Sequence, residues 1–298
     1  MRILITGGTG FIGAHLCGQL LEAGHQLVVF SRRPEQVESL CGQAVEAIGS
    51  LDEITPQSEF DAVINLAGEP IADKRWSARR KQLLMESRLE TTRKLVQAVA
   101  AMHRPPSCLI NASAVGFYGD QGDRPVDEST LPHEEFSHEL CRLWEQAANK
   151  AAEYGVRVCI VRIGLVVGPG GGFVSRMLPA FKLGLGGPLG NGRQWMSWVH
   201  RSDLVRLFEW LLTHDQAQGV YNGTAPNPVT NREFTRTLAK VLHRPACLPM
   251  PAFAAKALFG EMSRLLLTGQ RVYPKRVTDA GFEFNYPQLQ AALESVLP

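Results

Sequence analysis

Short apolar runs alternate with amphipathic stretches along the first half of the chain. Arg2-Ile3-Leu4-Ile5, His25–Phe30, Ala62–Gly68, Ser107–Ser113 and Val156–Arg162 are mostly aliphatic. Runs that are apolar on both faces read as buried parallel strands. Between them, Ala14–Leu21, Ser77–Ala100 and Glu134–Tyr154 read as helices; in the second, Leu84, Leu89, Leu95, Val96 and Val99 recur at roughly helical spacing. Strands alternating with helices over residues 1–167 predict an α/β fold with a doubly wound parallel sheet. Beyond residue 167 the pattern loosens. Gly168–Gly172 reads as a loop, Phe173–Leu183 as a helix and Gly184–Gly192 as irregular chain. Trp195–His200, a helix over Ser202–Leu212 and Gly219–Asn222 follow. Asn231 is expected to cap the next helix, and Phe253–Leu267 and Leu289–Leu297 read as apolar helices. Residues 168–298 are therefore expected to form a smaller lobe, with the chain crossing between the lobes.

The junction of the first strand and first helix carries the clearest chemistry. Thr6-Gly7-Gly8-Thr9-Gly10-Phe11-Ile12-Gly13 follows the strand directly and opens the helix. Free backbone N–H groups and the positive end of a helix dipole there suit a pyrophosphate, and this context makes the glycine triplet a dinucleotide fingerprint. Gly7, Thr9, Gly10, Phe11, Ile12 and Gly13 are the candidate cradle. An NAD-binding fold usually has an acidic residue at the end of the second strand, about twenty residues on, for the ribose 2′-hydroxyl. This chain has Ser31-Arg32-Arg33. A hydroxyl and a guanidinium can hold a 2′-phosphate that a carboxylate would repel, so the expected cofactor is NADP(H). Leu66, Ala67 and Gly68 close the third long strand and let a ligand approach the backbone. Arg88 is either a snorkelling arginine or a phosphate contact.

Composition narrows the function classes. The 298 residues suffice for a sizeable core, and a formal charge of +2 implies no polyanionic partner. No basic stripe with interleaved aromatics points to nucleic acid, and no apolar run approaches a membrane span. The six cysteines (Cys17, Cys41, Cys108, Cys141, Cys159 and Cys247) show no CxxC or metal-ligand spacing, so no metal is expected. Scattered thiols and a strand starting at residue 2 lead us to expect a reduced, cytoplasmic setting without a signal peptide. A small-molecule substrate and a monomer or homodimer are expected.

The landmarks TGGTGFIG (6–13), NLAG (65–68), SAVGFYG (113–119), RIGLVVGPGG (162–171) and WVHRSDL (198–204) resemble the extended short-chain dehydrogenase/reductase superfamily. SRRP (31–34), SRLETT (87–92), WE (144–145) and GLGGPLGNGRQW (184–195) are similar to its atypical YfcH-like epimerase branch. The resemblance implies a Rossmann-like NADP(H)-binding domain over 1–167. It also implies cofactor contacts through Ser31, Arg32, Leu66, Ala67 and Arg88, with Val166 beside the nicotinamide. It implies no substrate.

Members of that superfamily usually pair a Ser or Thr with a Tyr followed four residues later by Lys. The tyrosine moves the proton and the lysine lowers its pKa. None of the five tyrosines here has such a lysine. Cys141 and Glu145 stand at the Tyr and Lys positions, and a Glu beside a thiol should raise its pKa. The candidate catalytic residues are Ser113, Tyr118, Cys141 and Glu145. Two readings follow: an NADP(H)-dependent oxidoreductase or epimerase with a non-standard proton donor, or a non-enzymatic NADP(H)-binding redox sensor or scaffold. Trp195 and Trp198 are either a pocket wall or ordinary core.

Overall fold

In the computed structural model, which describes residues 1–297, the strands run β1 (Arg2–Thr6), β2 (Gln26–Phe30), β3 (Glu46–Ile48), β4 (Ala62–Asn65), β5 (Cys108–Ala114), β6 (Pro125–Val126) and β7 (Arg157–Ile163). Then come β8 (Leu165–Val167), β9 (Trp195–Met196), β10 (Trp198–His200), β11 (Gly219–Gly223), β12 (Val229–Thr230) and β13 (Arg271–Val272). The helices are α1 (Gly13–Glu22), α2 (Val37–Cys41), α3 (Ala78–Ala101), α4 (Phe136–Asn149), α5 (Gly172–Lys182), α6 (Arg201–Thr213) and α7 (Asn231–Leu242). The last are α8 (Ala252–Phe259), α9 (Arg264–Leu267), α10 (Lys275–Asp279) and α11 (Leu289–Glu294).

Seven strands of the described residues make one parallel sheet, in the order β11-β7-β5-β4-β1-β2-β3. The order reverses at β1, whose two neighbours are β2 and β4. Open α/β sheets bind ligands at such a switch point, beyond the carboxyl ends of the strands. Leu16 and Leu20 of α1 and Leu204, Phe208 and Leu211 of α6 pack on one sheet face with Ile3, Ile5 and Val29. Leu95, Val96 and Val99 of α3 pack on the other with Leu4, Val63 and Leu109. The sheet is thus covered on both sides, which is why its strands read as continuous apolar runs.

β11 lies beyond residue 167, yet it pairs with β7 as an edge strand of the main sheet. α6, just before it, packs against α1. The chain therefore leaves this layer after β7, returns through α6 and β11, and leaves again. The second core gathers Val174 and Phe181 of α5, Trp198, Phe234 and Leu238 of α7, and Leu289 and Leu293 of α11. Trp198 is fully buried there, so it belongs to the core and walls no pocket. Trp195 donates from Nε1 to Asp123 instead.

Two local expectations are corrected. α7 is capped by Thr230, not Asn231. Thr230 Oγ1 accepts from Glu233 N at 3.3 Å, and Glu233 accepts from Thr230 N at 2.7 Å, the reciprocal box in which the cap residue is extended. Asn231 turns its Oδ1 to Leu189 N. The apolar run over 253–267 is not one helix, because Gly260 adopts φ +60° and separates α8 from α9. The short α2 and β3 were not expected; at five and three residues they carry too few positions for a periodicity. Among the described residues, no helix is long and apolar enough to cross a membrane.

Candidate functional site

The first half of the site is the cradle at the switch point. Gly7 sits at φ +72°, and a Cβ there would lie 2.7 Å from the Leu66 carbonyl group. Only glycine lets the turn after β1 close onto the end of β4. α1 starts at Gly13 with no side chain capping it and no acidic residue in its first turn. Its positive end is thus left to a ligand's anion. Gly7, Thr9, Gly10, Ser31, Arg32, Leu66, Ala67 and Gly68 line one cavity of about 260 Å³, together with Phe30, Arg33, Glu69, Ser87 and Thr91. These residues fit a phosphorylated dinucleotide: small residues under its spine, and two guanidiniums and a hydroxyl at one end.

Five expected cofactor residues stand outside that cavity, Gly13 among them as the first residue of α1. Phe11 lays its ring against the 168–172 loop, with the Arg201 guanidinium 4.8 Å above it. Ile12 is the residue before α1, and Val166 is nearly buried in β8. Arg88 is half-buried, and the loss of solvent around it lowers its pKa from the usual arginine range. Its Nη1 donates to Leu84 O at 3.2 Å and its Nη2 to Glu69 O at 3.0 Å. It braces the 66–69 loop from beneath and stacks over Trp144.

Buried polar bonds fix the strand ends under the cradle. Thr6, Asn65 and Asn111 stand side by side in the registers of β1, β4 and β5. Thr6 Oγ1 donates to Asn65 Oδ1 at 2.5 Å, and Asn65 Nδ2 donates to Asn111 Oδ1 and to Thr92 Oγ1 at 2.5 and 2.8 Å. Trp144 Nε1 closes the network on Thr92. Buried polar groups with complete partners rigidify the elements that carry them.

The second half lies at the ends of β5 and β7. Ser113 and Arg162 are opposed in register, so their side chains leave the same face. α4 crosses that face and brings Glu145 between them. Arg162 grips Glu145 with two bonds, Nε to Oε1 at 2.9 Å and Nη2 to Oε2 at 2.8 Å. Ser113 Oγ donates to the same Oε1 at 2.6 Å. Burial pulls the Arg162 pKa down, but the Glu145 carboxylate outweighs it and holds the guanidinium above its usual range. Cys141, one turn earlier on α4, is buried beside this group. Burial, then the Glu145 charge, pushes its thiol up to about 11.

Three of the four expected catalytic residues, Ser113, Cys141 and Glu145, thus come together. Tyr118 does not join them. It is fully buried, its hydroxyl donates to Asn222 Oδ1 at 2.7 Å, and burial pushes its pKa up to about 12. The Arg162 guanidinium lies between Phe117 and Tyr118, 3.3 and 4.9 Å from their ring centres. Sequence reasoning missed Arg162, although it was visible as a charge near the end of an aliphatic strand. It also passed over Glu69. His200 caps α6, stacks on Tyr286 and is lowered to about 4, chiefly by burial, so it is neutral and structural.

One consequence is directly measurable. At neutral pH in the native protein, a thiol-alkylating reagent should label the exposed Cys247 and leave Cys141 unmodified. Peptide mapping that finds Cys141 labelled as fast as Cys247 would contradict this geometry.

The sequence profile described as "NAD dependent epimerase/dehydratase family" matches residues 3–222, and "Domain of unknown function (DUF1731)" matches residues 250–296. An Arabidopsis thaliana relative, "Epimerase family protein SDR39U1 homolog, chloroplastic", is 40% identical over all of this chain and 87% of its own length. The Bacillus subtilis "Epimerase family protein YfhF" is 36% identical, over all of this chain and 98% of its own. Among solved structures, the human epimerase family protein SDR39U1 (isoform 2) with NADPH superposes with a TM-score of 0.90. It is 35% identical and covers 99% of both chains.

Proposed function

The chain belongs to the NAD dependent epimerase/dehydratase family, and on that premise we propose that it binds NADP(H) in preference to NAD(H) and acts as a reductase of a small carbonyl substrate. The observation that carries the cofactor choice is the cavity end formed by Ser31, Arg32 and Arg33. No carboxylate ends β2 to accept a ribose 2′-hydroxyl. The human relative crystallised with NADPH supports the same choice.

When bound, NADPH supplies a hydride. The chain must then supply a proton to the oxygen that receives the negative charge. Ser113 has committed its hydrogen to Glu145, Glu145 is held by Arg162, and the Tyr118 hydroxyl is turned to Asn222. Cys141 remains. A thiol near 11 stays protonated at neutral pH, so it can give a proton to a forming alkoxide and is poorly suited to take one. This favours reduction over oxidation. The deep burial of Cys141 and the committed hydrogens of Ser113 and Tyr118 favour a second reading, a non-enzymatic NADP(H)-binding redox sensor or scaffold.

Calorimetry should find NADPH bound more tightly than NADH, with Arg32→Asp reversing the order; equal affinities in the unmodified protein would sink the cofactor choice. For the reaction, Cys141→Ala should keep NADPH binding while abolishing carbonyl-dependent loss of NADPH absorbance. Binding without turnover across a carbonyl library, in both proteins, would favour the sensor.

A further inference from the structure

Glu69 stands where the cofactor cavity needs positive charge. It follows β4, and its side chain lines the cavity with Ser31, Arg32 and Arg33. Its Oε1 lies 3.1 Å from Arg32 Nη2, and its Oε2 lies 3.4 Å from Arg80 Nη1. The two sides of the pair are unequal. The Arg32 side chain is 79% exposed and the Glu69 side chain 22%. Glu69 is tied at every level: its N–H donates to Ser87 Oγ at 3.1 Å, its carbonyl accepts from Arg88, and its carboxylate accepts from buried Arg80. Arg80 in turn donates to Pro70 O. Arg32 is therefore the arm that can move, and Glu69 is the fixed post it rests on. Arg33 has no ion-pair partner among the described residues; its N–H donates to Ser31 Oγ.

We propose that Glu69 is a specificity-determining residue that acts as an internal competitor of the cofactor's 2′-phosphate for the Arg32 guanidinium. This rests on the reading that Arg32 receives that phosphate. The ion pair joins the end of β2 to the loop after β4, the two walls between which an adenosine ribose would lie. A phosphate that takes Arg32 must draw it off a carboxylate, and the carboxylate then remains as a like charge at the cavity wall. Arg32 already holds the Glu69 carboxyl below its usual range, with Arg80 adding to the effect. The pair thus tempers the preference for NADP(H) and keeps the bound cofactor exchangeable, a case of specificity set by a repulsive element as well as an attractive one.

Calorimetric titration of the full chain with NADPH and NADH tests this in Glu69→Gln and Glu69→Ala, with Arg32→Ala as the companion. Both Glu69 variants should bind NADPH more tightly, by ~5-fold or more, while NADH changes less than ~2-fold. Glutamine keeps the side chain's size, and both variants keep the backbone bonds to Ser87 and Arg88. Unchanged or weaker NADPH binding by Glu69→Gln would overturn the proposal: Glu69 would then orient Arg32 or merely hold the loop. Arg32→Ala separates the two levels. If it abolishes the NADPH preference while Glu69→Gln has no effect, only this inference fails. If it leaves the preference intact, the assignment of Arg32 to the phosphate fails with it.

Discussion

Replacing Arg162 with leucine should destabilise the protein by about 3–5 kcal/mol, the usual cost of stranding one member of a buried ion pair. Its side chain is 5% exposed and that of Glu145 8%. Without the guanidinium, Glu145 keeps one bond, from Ser113, in a site that water does not reach to replace the other two. Glu145→Leu should cost a similar amount, because the cation then lies against Phe117 and Tyr118 with no anion. The double variant Glu145→Leu/Arg162→Leu should recover most of the loss, since a leucine pair buries no charge. Urea denaturation of the four proteins measures the coupling. Single variants within ~1 kcal/mol of the parent, or a double variant that costs the sum of the singles, would show that the pair is not the buried unit described above.

The second large effect is on cofactor binding. Gly13→Ala should lower NADPH affinity by ~100-fold or more, about 2.8 kcal/mol. A Cβ on Gly13 would lie 2.2 Å from Gly7 O and 2.7 Å from Gly8 Cα. Both are backbone, so no side-chain rotation relieves the contact, and the turn must open where the pyrophosphate is to sit. Gly18 lies in the same helix, and a Cβ there meets nothing within 4 Å. Gly18→Ala should therefore bind NADPH normally and gain slightly in helix stability. Calorimetry on the pair, with thermal unfolding to check the fold, separates a local clash from a general loss of helix. Equal NADPH affinities would refute the tight packing of the turn.

Much of this was legible from residue order alone. The glycine turn is local: strand, Gly7, Gly10, Gly13 and helix are contiguous, and their conformational demands are written into adjacent residues. The same holds for the long helix over 78–101, whose apolar positions repeat often enough to fix its face. It fails for the five residues of α2 and for the cap of α7, where Thr230 and Asn231 are both good caps and the bond to Leu189 decides between them.

The sites divide along the same line. Composition and spacing determined that a dinucleotide cradle follows the first strand, that arginines end the second, and that no tyrosine has a lysine four residues on. Only the tertiary structure decided which of these groups meet. Arg32 faces Glu69 because β2 and β4 flank β1, and strand order is not written in any local stretch. Arg162 reaches Glu145 because β7 lies in register with β5, which sets it beside Ser113 beneath α4. Tyr118 is occupied because β11 returns from 104 residues away to present Asn222. Local residue order sets backbone preference and the side of each element that is apolar, whereas ion pairs and committed protons depend on contacts between distant segments, which exist only once the sheet has closed its order and register.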